Sequence, residues 1–209
     1  MDYTVFIHIF ITLVSIINPL GIIPIYLTIT ADQTSVQKKS TIKRTVTAVM
    51  LILLISAYSG NYLLDFFGID IDSFRVAGGI LLLLMSVHML QAKISTVKTN
   101  ENEQSEAVEK EDVAVVPLAI PLLAGPGSIS TVILFSSTMP GFLDKIVLGV
   151  IIIMAALLIL PTLILSKPIG QRLGATGLNI ATRIMGLILA AISVKFILEG
   201  ILHFLRGNI

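Results

Sequence analysis

The chain contains no cysteine and no tryptophan. That excludes disulfides, a thiolate nucleophile and thiolate metal ligands. Charge is scarce, at 13% of 209 residues, and the net charge is +1. A nucleic-acid partner would need a basic stripe, and none is present. The three histidines, His8, His88 and His203, are scattered without metal-ligand spacing, so no metal site is expected. No Walker loop, HExxH motif or nucleophile elbow occurs, so neither an enzyme nor a bound cofactor is expected. No Lys or Arg precedes Lys38, and no small-residue cleavage site follows the first apolar run. A secretory signal has a basic start, so this run is expected to stay in the mature protein.

What the chain does have is apolar surface. Hydrophobic residues make up 55% of it, and the mean hydropathy is +0.96. That is too apolar for a soluble domain and implies a lipid bilayer as partner. Six segments approach the ~20 residues that a spanning helix needs. They are roughly 5–30, 46–67, 76–92, 113–138, 146–166 and 184–205. The expected fold is an all-α membrane protein forming one membrane domain over 1–209.

The loops set an orientation. Lys38, Lys39, Lys43 and Arg44 lie between spans one and two. Lys93, Lys98 and Lys110 follow span three, and Lys167, Arg172 and Arg183 follow span five. The opposite side has only Arg75, Lys145 and Arg206. By the positive-inside rule the richer loops are cytoplasmic and both termini face out. Residues 93–112, polar and without aromatics, read as a disordered cytoplasmic linker. Asn61, Asp65, Asp70 and Asp72 read as a solvated rim at the outer end of span two.

Spans one and four are broken. The first reads SIINPLGIIPIYLTIT over 15–30, and the second PLAIPLLAGPGSISTVIL over 117–134. Proline removes a backbone donor and clashes with the preceding turn. Broken backbone at membrane depth is tolerated only inside protein or along a cavity. The breaks also share a period. Pro19 and Pro126 are 107 apart, as are Ser86-Val87-His88 and Ser193-Val194-Lys195, while RVAGGIL at Arg75 and RIMGLIL at Arg183 are 108 apart. A common period points to an internal repeat of three spans, with repeat one at 1–92 and repeat two at 113–209. An odd number of spans inverts the second copy, and paired breaks in such repeats point to a transporter's binding site.

Helices restarting after Gly21 and Gly127 would offer free N–H groups to an anionic group, with Ser128 as a candidate N-cap. Asn18 offers donors and acceptors, and Gly21, Gly125 and Gly127 allow close approach to a ligand. The competing reading is a pair of Pro kinks that only shape packing. His88 and Lys195 are placed by helix rise near mid-depth, where ionisable groups are costly. His88 reads either as a substrate or proton contact or as an interhelical hydrogen bond. Lys195 reads either as such a contact or as the partner of Glu199.

Taken together, NPLGIIP, VVPLAIPLLAGPGSIS, IDSFRVAGGIL and TRIMGLIL resemble the MarC family of bacterial and archaeal membrane proteins. The resemblance covers the chain apart from 93–112. It implies a six-span protein of the inner membrane, related to lysine exporters, with some members described as neutral amino-acid transporters. Its broken-helix motifs point to Asn18, Pro19, Gly21 and Pro24, and to Gly125, Pro126, Gly127 and Ser128. The leading expectation is therefore a secondary transporter of a zwitterionic amino acid. The alternatives are a non-transporting scaffold or sensor, which predicts breaks filled by protein, and a lipid-phosphate enzyme. The latter would need basic and acidic partners beside Pro126-Gly127-Ser128, and that segment has neither.

Overall fold

The computed structural model describes residues 3–91, 113–139 and 141–207. The expected linker, 93–112, lies outside them. All regular elements among the described residues are helical. Helix α1 (Tyr3–Ile17) stops ahead of Pro19, and α2 (Ile23–Ile29) restarts with Pro24 in its first turn, where the missing N–H costs nothing. Helix α3 (Ser35–Phe67) opens on a capping box. Thr34 Oγ1 accepts from the Gln37 N–H at 3.3 Å, and Gln37 Oε1 accepts from the Thr34 N–H at 2.8 Å. This box extends the helix well ahead of the expected start at 46, so Lys38, Lys39, Lys43 and Arg44 are helical rather than loop.

Gly68, at φ 66°, ends α3 in the left-handed conformation. Asp70 then caps α4 (Ile71–Leu90), its Oδ1 accepting the Ser73 N–H at 2.7 Å. These bonds from Ser73 favour the ionised form and hold the Asp70 carboxyl below the ordinary aspartate range. Asp70 is thus a structural cap as well as part of the rim.

The second broken region is wound differently. Helix α5 (Ala114–Leu123) holds Pro117 and Pro121 and has extended backbone at Val116 and Ile120. It ends in a wide turn in which the Ala124 N–H donates to the Ala119 carbonyl at 2.8 Å. Helix α6 (Pro126–Ser137) follows at a bend of 62°. Helix α7 spans Phe142–Ile164 and α8 Ser166–Gly207. The expected loop between spans five and six is therefore mostly helix. Only Gly174, at φ 61°, breaks it, a conformation glycine adopts without penalty.

Four of these helices, α3, α4, α7 and α8, are long and apolar enough to cross a membrane. The bent pair α5–α6 makes a fifth candidate, and α1 by itself is shorter. Apolar side chains such as Leu51, Ile55, Leu84, Leu157, Leu187 and Leu198 stand exposed on the outer surface. Water would not tolerate so large an apolar face, but lipid does. The interior is closed by fully buried Leu13, Ile16, Leu53, Leu82, Ile151 and Leu189.

Helices α4 and α8 pack antiparallel, backbone against backbone. A Cβ on Gly79 would lie 3.0 Å from the Ser193 carbonyl oxygen and 3.1 Å from the Ile197 nitrogen. A Cβ on Gly186 would lie 3.2 Å from both the Ser86 carbonyl oxygen and the Leu90 nitrogen. The two contacts are reciprocal, because Gly79, Ser86 and Leu90 lie 107 residues before Gly186, Ser193 and Ile197. Both serines are fully buried, and each donates three residues back at 2.7 Å, to Leu83 and Ala190.

Candidate functional site

The first break forms a small open site. At its centre Asn18 adopts φ 46°, a left-handed conformation that Asn tolerates better than most residues. The Gly21 N–H turns back to the Asn18 carbonyl at 3.1 Å and to Asn18 Oδ1 at 3.3 Å. Two consequences follow. The Ile17 carbonyl loses the helical donor that Gly21 would have supplied. The Asn18 side chain is held by its oxygen, leaving its NH₂ to donate. Gly21 is needed because a Cβ there would strike the Asn18 amide nitrogen.

These groups face a cavity of about 210 Å³, room for about seven waters at roughly 30 Å³ each. Asn18, Gly21 and Pro24 line it from the break. Asn179 and Thr182 line it from α8, with Met85 and Met89 from α4. Among the described residues no ionisable side chain lines it. The remaining first-break candidate, Pro19, is buried and outside the lining.

The second break does not reach this cavity except through Leu122. Gly125, Gly127 and Ser128 are buried and Pro126 is exposed. A Cβ on Gly127 would meet Leu82 Cδ2 at 2.9 Å, so Gly127 serves close packing between α6 and α4. Ser128 is not the N-cap that the sequence suggested. The cap position is Gly125, and the Ser128 hydroxyl donates to the Leu123 carbonyl at 3.0 Å. The Thr45 hydroxyl satisfies the Ala114 carbonyl at 3.0 Å. Among the described residues one buried side-chain polar atom has no hydrogen-bond partner, Thr131 Oγ1 in the middle of α6.

A second pocket, of about 190 Å³, lies at the opposite end of α1 and α8. His8, Arg75, Lys195 and Glu199 line it with Thr138. Lys195 pairs with Glu199 at 3.7 Å, and Arg75 with Asp72 at 3.7 Å. Lys195 thus shares a pocket with Arg75 of α4. His88 is partly buried and lines neither cavity. Between the two pockets lie the buried side chains Leu13, Ile16, Leu82 and Leu189.

Sequence reasoning missed Asn179, Thr182 and His8. Asn179 and Thr182 are a polar pair at i, i+3, one face of a helix. That spacing is a signal, but the sequence of the stretch reads as a loop.

The fold and the apolar outer surface define a multi-pass integral membrane protein with interrupted helices. Residues 3–205 match the MarC family of integral membrane proteins, and the chain belongs to that family. It is similar to the UPF0056 membrane protein YhcE of Escherichia coli, 39% identical over 99% of this chain and 96% of the relative. The UPF0056 membrane protein YvbG of Bacillus subtilis is 36% identical over 96% of each chain. An archaeal UPF0056 membrane protein from Methanocaldococcus jannaschii is 38% identical over 96% of this chain and 98% of the relative. No solved structure matches the chain.

Proposed function

We propose that this protein is a secondary transporter of small zwitterionic solutes, with neutral amino acids as the substrate class. The observation that carries this reading is the cavity at the first break. It is small, it has no ionisable lining among the described residues, and it is bordered by freed backbone and amide groups. A net-neutral solute needs no countercharge there. Its carboxylate would take the Asn18 NH₂ with Asn179 and Thr182, and its ammonium the Ile17 carbonyl. Helix α2 has only seven residues, so its dipole contributes little and the amides carry recognition.

In this reading α1 and α2 form the first of six spans, and the two halves are inverted repeats in a bacterial inner membrane with both termini outside. The reciprocal Gly79 and Gly186 contacts support a two-fold relation. The cavity, the opposite pocket and the apolar layer between them suit alternating access, with the cytoplasmic side open. The packed second break is what a non-transporting scaffold would have, but the open first break is not. No step here calls for covalent chemistry, and we propose no enzymatic activity.

The test is uptake or exchange of a panel of neutral amino acids by purified protein in proteoliposomes. Saturable transport of at least one, lost in Asn18→Gly, is the expected result. Intact transport in that variant would show that the site lies elsewhere. The absence of transport for every solute tested would remove the reading.

A further inference from the structure

Among the described residues, four lysines gather on a cleft outside both pockets already described. Lys38, Lys39 and Lys43 of α3 converge with Lys167 of α8 on one cleft, at the end where α3 begins and α7 ends. The cleft is large, about 540 Å³, and below the lysines it is apolar, lined by residues such as Ile42 and Leu163. Among the described residues no acidic side chain lines it and none of the four lysines is ion-paired.

This arrangement costs the protein something when empty. Lys39 and Lys43 are at i, i+4, so two like charges share one helix face. Lys38 is already partly removed from solvent. The Thr30 hydroxyl donates inward to the Tyr26 carbonyl at 2.7 Å and relieves none of this charge. An occupant must therefore bring negative charge to the rim and hydrocarbon to the floor. The apolar stretch of α7 ends at Ile164 and Lys167 follows, so the cleft straddles the apolar–polar boundary where lipid phosphates sit.

We propose that this cleft is a binding site for one anionic phospholipid. Its phosphodiester sits among Lys38, Lys39, Lys43 and Lys167, and an acyl chain runs down the wall formed by Ile42 and Leu163. This assignment does not depend on the transport reading, since it uses a different surface. Each lysine near an anionic lipid is worth a factor of about five in affinity.

The experiment is native mass spectrometry of the full chain released from detergent with equal phosphatidylglycerol and phosphatidylcholine. The wild type is expected to retain phosphatidylglycerol preferentially. Replacing all four lysines by Gln should reduce that preference roughly tenfold or more, while four Lys→Arg replacements keep it. Lys145→Gln, at the other end of α7, should leave it unchanged. Melting curves check that each variant folds, and the Arg variant keeps the test readable if the Gln variant does not. A folded Gln variant with wild-type preference, or a folded Arg variant without it, overturns the proposal. So does displacement of the lipid by inorganic phosphate or by glycerophosphoglycerol, since either would show a site for a free anion. A lipid-free dimer that dissociates in the Gln variant would overturn it as well, by naming a second copy as the occupant.

Discussion

The two broken regions use similar letters and reach opposite states. At 18–22 the backbone opens, a carbonyl is released, and a cavity forms beside Asn18. At 114–125 the backbone closes on itself, with Ser128 and Thr45 satisfying the freed carbonyls and Gly127 packed against Leu82. By contrast, the α4–α8 contact is reciprocal down to the residue. A symmetric centre with asymmetric breaks is what a two-state transporter needs, because only one face should be open at a time. Proline and glycine thus permit a site without specifying it. Which break is open depends on what packs against it.

Accessibility tests this contrast most sharply. The chain has no cysteine, so single cysteines can be introduced cleanly. A membrane-impermeant thiol reagent should label Asn179→Cys from one side and leave Ser128→Cys untouched in this state. Equal labelling of both would erase the difference between the breaks.

Transport comes next. Asn18→Gly removes the amide yet keeps a residue that accepts positive φ. It should lower transport about 10-fold to 100-fold, the worth of a hydrogen bond to a charged group at roughly 1.5–3 kcal/mol, with little change in melting temperature. If melting falls and transport does not, the amide is structural.

Stability is expected to separate the breaks in the opposite sense. Gly127→Leu forces a side chain toward Leu82 and should cost about 1–3 kcal/mol or more in a thermal or denaturant melt. Gly21→Ala strikes only the end of the Asn18 side chain, which can move, so it should impair transport more than stability. Equal melting losses in the two variants would mean that the first break is as tightly packed as the second.

Much of this was legible in the sequence. The break positions followed from Pro19 and Pro126, and the long apolar helices from hydropathy. The match of RVAGGIL with RIMGLIL paired α4 with α8 as equivalent elements, although the contact itself pairs Gly79, not Gly78, with Gly186. What was not legible depended on contacts between distant residues. The period gave Ser128 the same standing as Gly21, although one is sealed by Leu123 and the other faces a cavity. The stretch 167–183 reads as a loop in sequence because Lys167, Arg172 and Arg183 interrupt its hydropathy, yet it is helix apart from Gly174. That error hid Asn179 and Thr182, which only tertiary packing brings opposite Asn18.

The smallest expected effect bears on whether the closed break is a resting state or a permanent one. Thr131 Oγ1 is fully buried without a hydrogen-bond partner. A buried hydroxyl in that condition costs about 1–3 kcal/mol, and an apolar group of the same shape avoids the cost. Thr131→Val should therefore raise stability, by about 1 kcal/mol once imperfect relaxation is allowed for. If the second break opens during transport, water or solute would satisfy that hydroxyl in the open state, so the same substitution should also slow transport by deepening the closed state. A variant that gains stability and transports normally would mean that the second break never opens. The asymmetry between the two breaks would then be permanent, not one half of a cycle.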